Sequence, residues 1–287
     1  MTSRQPVDRP IELPSIAFLG AGSMARAILA GLLQPHVTVA GGIRTTNRSA
    51  ARAAEFDAEP RVTAYATEAD AAANRRAVAG AKLVVVAVKP AMVPDLLDEI
   101  ADALEPGSVV VSVAAGVTVA TFEAHLPSHV SVVRTMPNTP AVVGRAVTGV
   151  SAGTRSSGAD LALVVSLFET VGEVLVVPES QLDALSTISG SGPAYVFLLI
   201  EELTKSAIAK GFTREEAAVM VQGTFRGASE LLAASGDDPA ELRRRVTSPK
   251  GTTERAIAVL QEADLSALFD RATDAALARA RELAAGA

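Results

Sequence analysis

The chain has 287 residues, of which 49% are hydrophobic and 20% charged, with a formal net charge of -6. It has no Cys, which excludes disulfides, thiolate catalysis and Cys-ligated metal, and its acidic balance argues against a nucleic-acid surface. Its histidines, His36, His125 and His129, show no metal-ligand spacing, because Pro127 interrupts the pair that lies four apart, and they read as solvated. The length points to two domains. Residues 1–14 are polar, carry Pro6, Pro10 and Pro14, and lack an apolar core of the export-signal kind, so a loose tail is expected. The most apolar continuous run, 193–200, is too short to span a bilayer, so a soluble cytoplasmic chain with no membrane partner is expected.

Residues 16–19, I-A-F-L, are apolar and short enough for one buried parallel strand. Gly20-Ala21-Gly22 breaks the run, and Met24, Ile28 and Leu32 then recur every four residues, as one face of a helix does. Strand, glycine turn and helix give the G-x-G-x-x-A match at Gly20, Gly22 and Ala25 its meaning. Gly20 permits the tight turn, Gly22 lets a pyrophosphate approach the backbone, and Ala25 lets helix and strand pack closely. The first-turn N–H groups and the helix dipole then favour a phosphate. The competing reading is an ordinary strand-to-helix turn.

A second strand is expected at 43–46, with 37–40 as an alternative. The tip of that strand reads Asn47-Arg48-Ser49, where a carboxylate would hold the ribose of NAD. No carboxylate stands there, and Arg48 is suited to a 2′-phosphate, which favours NADP over NAD; a solvated turn is the alternative. Residues 62–65 read as a third strand, 66–81 as a helix and 83–88 as a central strand ended by Lys89-Pro90. Lys89 therefore falls where ligands lie in such sheets, or is a surface lysine. Residues 93–104 read as a helix and 109–113 as a buried strand followed by Ala114-Ala115-Gly116. Residues 130–133, 147–150 and 174–177 are further strands, with a helix at 158–171 and the stiff loop Arg134-Thr135-Met136-Pro137-Asn138-Thr139-Pro140.

The alternation predicts an α/β fold, a doubly wound parallel sheet over residues 15–177. From Glu179 onward no convincing strand remains, and residues 178–287 are expected to form an all-helical domain. Ser189-Gly190-Ser191-Gly192-Pro193 opens a helix that is apolar on nearly every side, which must be buried, often against a partner subunit. Thr213 with Glu216 predicts a capping box, and Asp238 with Pro239 predicts a third helix. A fourth helix begins near Thr253 and a fifth covers 264–283. The loop Thr247-Ser248-Pro249-Lys250-Gly251-Thr252-Thr253 is the densest polar cluster of this half. Its hydroxyls and orphan N–H groups fit a small carboxylate, or form an elaborate helix cap.

From residue 16 to the C-terminus the chain resembles the pyrroline-5-carboxylate reductases, through F-L-G-A-G-S-M-A, V-V-V-A-V-K-P, V-S-V-A-A-G-V, V-V-R-T-M-P-N-T-P, S-G-S-G-P-A-Y and V-T-S-P-K-G-T-T. The resemblance implies an N-terminal Rossmann domain and a C-terminal helical domain that makes a homodimer, commonly assembled into a ring of dimers, a decamer. It implies cofactor contacts at Leu19, Gly20, Ala21, Gly22, Ser23, Met24, Asn47, Asn74, Ala87, Val88, Lys89, Pro90, Val113, Ala114 and Ala115. It places the proline-site contacts at Glu179, Ser248, Thr252 and Thr253, with N–H groups around Gly251. Two departures stand beside that site. Lys250 replaces a residue that is usually small, and Arg245 stands where some members have Asn.

The implied reaction is hydride transfer from NADPH, or NADH, to the C=N carbon of pyrroline-5-carboxylate, giving L-proline. The motifs hold no strong acid, so the imine arrives protonated or takes its proton from water, with the Thr253 hydroxyl orienting the ring nitrogen. Rival readings are a two-domain dehydrogenase acting on a hydroxy acid or another cyclic imine, and a non-catalytic NADP-binding protein. The hydroxy-acid enzymes place a catalytic Lys soon after the Gly-rich segment, whereas Lys205 lies well beyond it.

Overall fold

The computed structural model describes residues 9–284. It divides into two compact units, one of residues 9–191 with the segment from Leu277 onward, the other Gly192–Ala276. The sequence expectation put the division at 177/178.

The first unit carries strands β1 (Ile11–Leu13), β2 (Ile16–Leu19), β3 (Val37–Val39), β4 (Ile43–Asn47), β5 (Val62–Ala66), β6 (Leu83–Val86), β7 (Val109–Ser112), β8 (Ser131–Met136), β9 (Ala146–Ala152) and β10 (Gly172–Val176). Eight of them form one sheet in the order β10-β9-β8-β7-β6-β2-β4-β5. Strand β2 lies in the middle, with Phe18 opposite Thr45 on one side and Val85 on the other. Its neighbours are parallel, and β8 and β9 alone among the described pairs are antiparallel, with Thr135 opposite Val150. The connecting helices are α1 (Ser23–Leu32), α2 (Ala50–Ala54), α3 (Ala73–Val78), α4 (Val93–Ile100), α5 (Val119–His125), α6 (Gly158–Glu169) and α7 (Glu179–Leu185).

The strands are aliphatic on both faces because both faces are covered. Phe18, Val85 and Val111 pack on one side with Ile28 and Leu29 of α1 and Phe168 of α6. Ala17, Leu19, Val84 and Val86 pack on the other with Leu97 and Ile100 of α4 and Phe122 of α5. Successive strand residues thus feed opposite cores, the period of two made visible.

Several elements differ from the sequence expectation. Both alternatives for the second strand exist: β4 enters the main sheet, while β3 pairs with β1 in a small separate sheet. Residues 11–13 therefore leave the expected loose tail, and residues 1–8 lie outside the described residues. The expected helix at 66–81 shrinks to α3, because β5 continues to Ala66 beside Asn47 and turns follow. Helix α5 had no expectation; a helix of seven residues shows too little periodicity, yet its Phe122 is fully buried. Helix α7 packs back on β9, so that a Cβ at Gly149 would stand 2.8 Å from Leu182 and Leu185. That packing carries the unit on to Ser191.

The second unit is helical: α8 (Gly192–Ala209), α9 (Arg214–Ser235), α10 (Pro239–Arg245), α11 (Thr252–Glu262) and α12 (Leu265–Ala284) as far as Ala276. The Thr213–Glu216 capping box forms, with Thr213 Oγ1 accepting the Glu216 N–H at 3.2 Å and Glu216 Oε2 accepting the Thr213 N–H at 2.9 Å. Asp238 caps α10 by accepting the Ala240 N–H at 2.8 Å, with Pro239 in the first turn. Helix α8 packs on α9, and the Tyr195 and Phe269 rings stand 6.3 Å apart. No residue of α8 is buried among the described residues, and Val196, Phe197, Leu198 and Leu199 are exposed. No helix among the described residues is long and apolar enough to cross a membrane.

Candidate active site

Four adjacent parallel strands, β4, β2, β6 and β7, end at one edge of the sheet. Nearly all of the expected cofactor residues follow those ends. After β2 the chain turns at Gly20, whose φ is +88°, and the N–H groups of Gly20 and Ala21 donate to Thr46 O at 3.2 and 3.0 Å. This ties the glycine turn to the tip of β4. Ala21 and Ala25 are buried, and Leu19 is fully so. Gly22 is the N-cap residue of α1 and supplies no side-chain cap, and no acidic residue lies in the first turn that Ser23 and Met24 begin. The orphan N–H groups of this ten-residue helix are thus left for an anion.

Two glycines have different work here. A Cβ on Gly20 would lie 2.9 Å from Val88 Cγ1 and 3.0 Å from Ala87 O, in a conformation that L side chains rarely adopt. A Cβ on Gly22 would meet nothing within 4 Å. Gly20→Ala should therefore lower stability by about 1–3 kcal/mol and weaken NADPH binding by moving the turn. Gly22→Ala should leave the melting temperature unchanged and still weaken NADPH binding, because its methyl stands in the space a pyrophosphate would use. Melting curves with nicotinamide fluorescence titrations check both; unaltered binding in Gly22→Ala would count against a phosphate at this turn.

At the tip of β4, Asn47 is buried and its Nδ2 has no hydrogen-bond partner among the described residues. A buried amide donor left unsatisfied is costly, and a ribose or phosphate oxygen would satisfy it. The residues present thus fit a dinucleotide. Arg48, next to it, is exposed and pairs with no carboxylate among the described residues. After β6, Ala87 and Val88 are half-buried, Lys89 is exposed and Pro90 opens a short 3-10 turn before α4. After β7, Val113 is half-buried, Ala114 buried and Ala115 exposed, and Gly116 turns the chain at φ +77°. Asn74 stands apart. It lies on α3, and its Nδ2 donates to Glu99 Oε2 at 3.0 Å, in the last turn of α4.

The second unit carries the Ser/Thr loop. Lys250 sits at φ +61°, the left-handed region, which explains why a small residue suits that position. Its N–H donates to Glu254 Oε2 at 2.9 Å, and the Gly251 N–H donates to Ser248 O at 3.0 Å. A Cβ on Gly251 would lie 2.9 Å from Ser248 O, so the turn needs glycine. Thr252 and Thr253 are the first two residues of α11, which has no side-chain cap. Thr247 Oγ1 donates to Arg243 O at 2.6 Å, a local bond, whereas the hydroxyls of Ser248, Thr252 and Thr253 make no hydrogen bond among the described residues. Arg245, the other departure, is held by Asp237 at 2.6 Å and Glu241 at 2.9 Å. Arg244 also donates to Glu241 at 2.7 Å, and the hydrogen bonds from Arg244 first and Arg245 second pull the pKa of the Glu241 carboxyl down to about 2.

Glu179, expected at the substrate, begins α7 in the first unit. Its Oε1 accepts the Val119 N–H at 2.7 Å and lies 3.2 Å from Arg134 Nη1. Arg134 and Asn138 gave no site signal of their own in the sequence. Asn138 pins the loop after β8, accepting the Val147 N–H at 2.9 Å and donating to Ser189 O at 2.9 Å.

The family model described as pyrroline-5-carboxylate reductase dimerisation matches residues 179–283. A pyrroline-5-carboxylate reductase of Pseudomonas aeruginosa is 40% identical over 272 residues, 94% of this chain and 97% of that one. The chain belongs to the pyrroline-5-carboxylate reductase family. The pyrroline-5-carboxylate reductase of Coxiella burnetii superposes with a TM-score of 0.85 at 37% identity, covering 93% of this chain and 97% of that chain. The Plasmodium falciparum pyrroline carboxylate reductase, solved with NADP bound, shares the fold, with a TM-score of 0.79 at 23% identity over 94% of this chain and 98% of that chain. Residues 15–116 also match the family model described as NADP oxidoreductase, coenzyme F420-dependent. As a family member this reductase is an oxidoreductase acting on a C=N bond, and its C-terminal part is the dimerisation domain.

Proposed function

We propose that this chain is a cytoplasmic, NADPH-preferring reductase that converts pyrroline-5-carboxylate to L-proline. The observation that carries the reading is the trio of unengaged hydroxyls, Ser248, Thr252 and Thr253, on an α11 start that no side chain caps. A helix start with free hydroxyls suits the carboxylate of a small cyclic amino acid.

In this reading the N–H groups behind Gly22 hold the pyrophosphate, Asn47 and Arg48 hold the adenosine ribose and its 2′-phosphate, and Ala87, Val88, Lys89, Pro90, Val113, Ala114 and Ala115 line the remainder. Asn74 is left out, because its amide is spent on Glu99. The bound dihydronicotinamide supplies the hydride. The chain's own work is orientation: Ser248, Thr252 and the first N–H groups of α11 hold the substrate carboxylate, and Thr253 points the ring nitrogen. The proton of the imine is the substrate's own or comes from water. The exposed apolar face of α8 is the dimer interface, and the dimers close into a ring.

NADPH oxidation at the nicotinamide band, with purified protein and pyrroline-5-carboxylate, tests the activity; no turnover would return the chain to a binding role. Arg48→Ala tests the cofactor preference. An exposed charge-assisted pair sits at the low end of its range, so the KM for NADPH should rise about tenfold while that for NADH stays put. Equal effects on the two would remove Arg48 from the 2′-phosphate.

A further inference from the structure

The first unit contains an ion-pair cluster that differs from the surface pairs by its burial. Arg134 lies on β8, and its side chain is only 7% exposed. Its Nη1 stands 3.2 Å from Glu179 Oε1, and its Nη2 donates to Asp183 Oδ1 at 2.7 Å. The same Glu179 Oε1 accepts the Val119 N–H at 2.7 Å. One carboxylate therefore joins β8, α7 and the first residue of α5.

That first residue is where the segment 113–118 ends. The segment leaves the carboxyl end of β7, where the Val113 N–H donates to Val86 O at 3.1 Å. It turns at Gly116 with φ +77°, and Thr118 caps α5 by accepting the Thr121 N–H at 3.2 Å. The sheet holds the segment at its start, and Glu179 holds it at its finish. A carboxylate at a helix N-terminus is itself favourable. It is also a strict constraint here, because a buried guanidinium that loses one of its two carboxylates keeps only part of its compensation. Asp183 grips the same guanidinium yet bonds neither Val119 nor the segment.

We propose that Arg134 is a positioning residue for the cofactor edge: it fixes the Glu179 carboxylate, which fixes segment 113–118 so that Val113, Ala114 and Ala115 present the backbone that takes the nicotinamide cofactor. This rests on the cofactor reading above. It gives Glu179 a role in cofactor affinity that is separate from any contact with substrate.

The test is NADPH binding to the full-length protein without substrate, read by nicotinamide fluorescence, alongside melting curves. The variants are Glu179→Gln, Arg134→Lys and Asp183→Asn. Glu179→Gln and Arg134→Lys should weaken NADPH binding about tenfold. Asp183→Asn should lower the melting temperature comparably and keep NADPH binding within about twofold of the wild type. If all variants bind as the wild type does, or if Asp183→Asn weakens binding as much as Glu179→Gln, the cluster serves stability alone and the proposal is overturned. Should Arg134→Lys fail to fold, the isosteric Glu179→Gln still decides against Asp183→Asn. A wild-type protein that binds no NADPH overturns the cofactor reading and this inference together; normal wild-type binding with unaltered variants overturns this inference alone.

Discussion

Phe197→Asp on α8 should convert the proposed dimer into a monomer, read by light scattering at micromolar concentration. Phe197 is 67% exposed within one chain, flanked by Val196 at 44% and Leu198 at 55%. Burying apolar surface yields about 25 cal/mol for each Å², so a helix face of this kind left in water costs several kcal/mol. A soluble monomer rarely shows such a patch. A buried, unpaired carboxylate in the interface would cost several kcal/mol more. Because the side chain touches little of its own unit, the substitution acts on assembly rather than on the fold of the monomer. The melting temperature should fall with it, since a dimer's stability includes its association. A variant that remains a dimer with an unaltered melting temperature would move the interface away from this helix.

The second large effect is expected at Thr253. Replacing it with Val keeps the β-branched shape and removes the hydroxyl. A hydrogen bond to a charged partner is worth roughly 1.5–3 kcal/mol, which is roughly a 10- to 150-fold loss in kcat/KM. Two readings of this residue were open in the sequence, a substrate contact and a helix cap. In the structure the N-cap residue is Gly251, and α11 has no side-chain cap at all. The Thr253 hydroxyl therefore has no capping bond to lose. The melting temperature of Thr253→Val should match the wild type, NADPH affinity should be unchanged, and kcat should drop. A kcat close to the wild-type value would leave Thr253 without a part in catalysis.

Much of the architecture was legible because its signals are local. The run at residues 16–19, the turn at Gly20 and Gly22 and the four-residue recurrence from Met24 each depend on residues close in the chain, and β2, the turn and α1 follow them. The capping box at Thr213 and Glu216 and the Asp238-Pro239 start are equally local, and both stand as expected. The Ser/Thr loop was visible as a polar island in an apolar half, and the structure explains why it needs Gly251 and why the left-handed position that Lys250 occupies suits a smaller residue.

The order of strands and helices, the glycine turn and the caps can be read from the chain alone, since dihedral preference and hydrophobic period act over a few residues. Which distant groups meet depends on the packed molecule. Asn74 finds Glu99 across 25 positions, and Val119 finds Glu179 across 60. The antiparallel step between β8 and β9 and the docking of α7 on Gly149 are decisions of the same kind. So is the Asn47 Nδ2 that has no partner among the described residues, a property of everything packed around it. No pattern in the chain encodes such pairings, because each depends on burial and close approach that exist only once the sheet has formed, when an unmatched polar group first becomes costly.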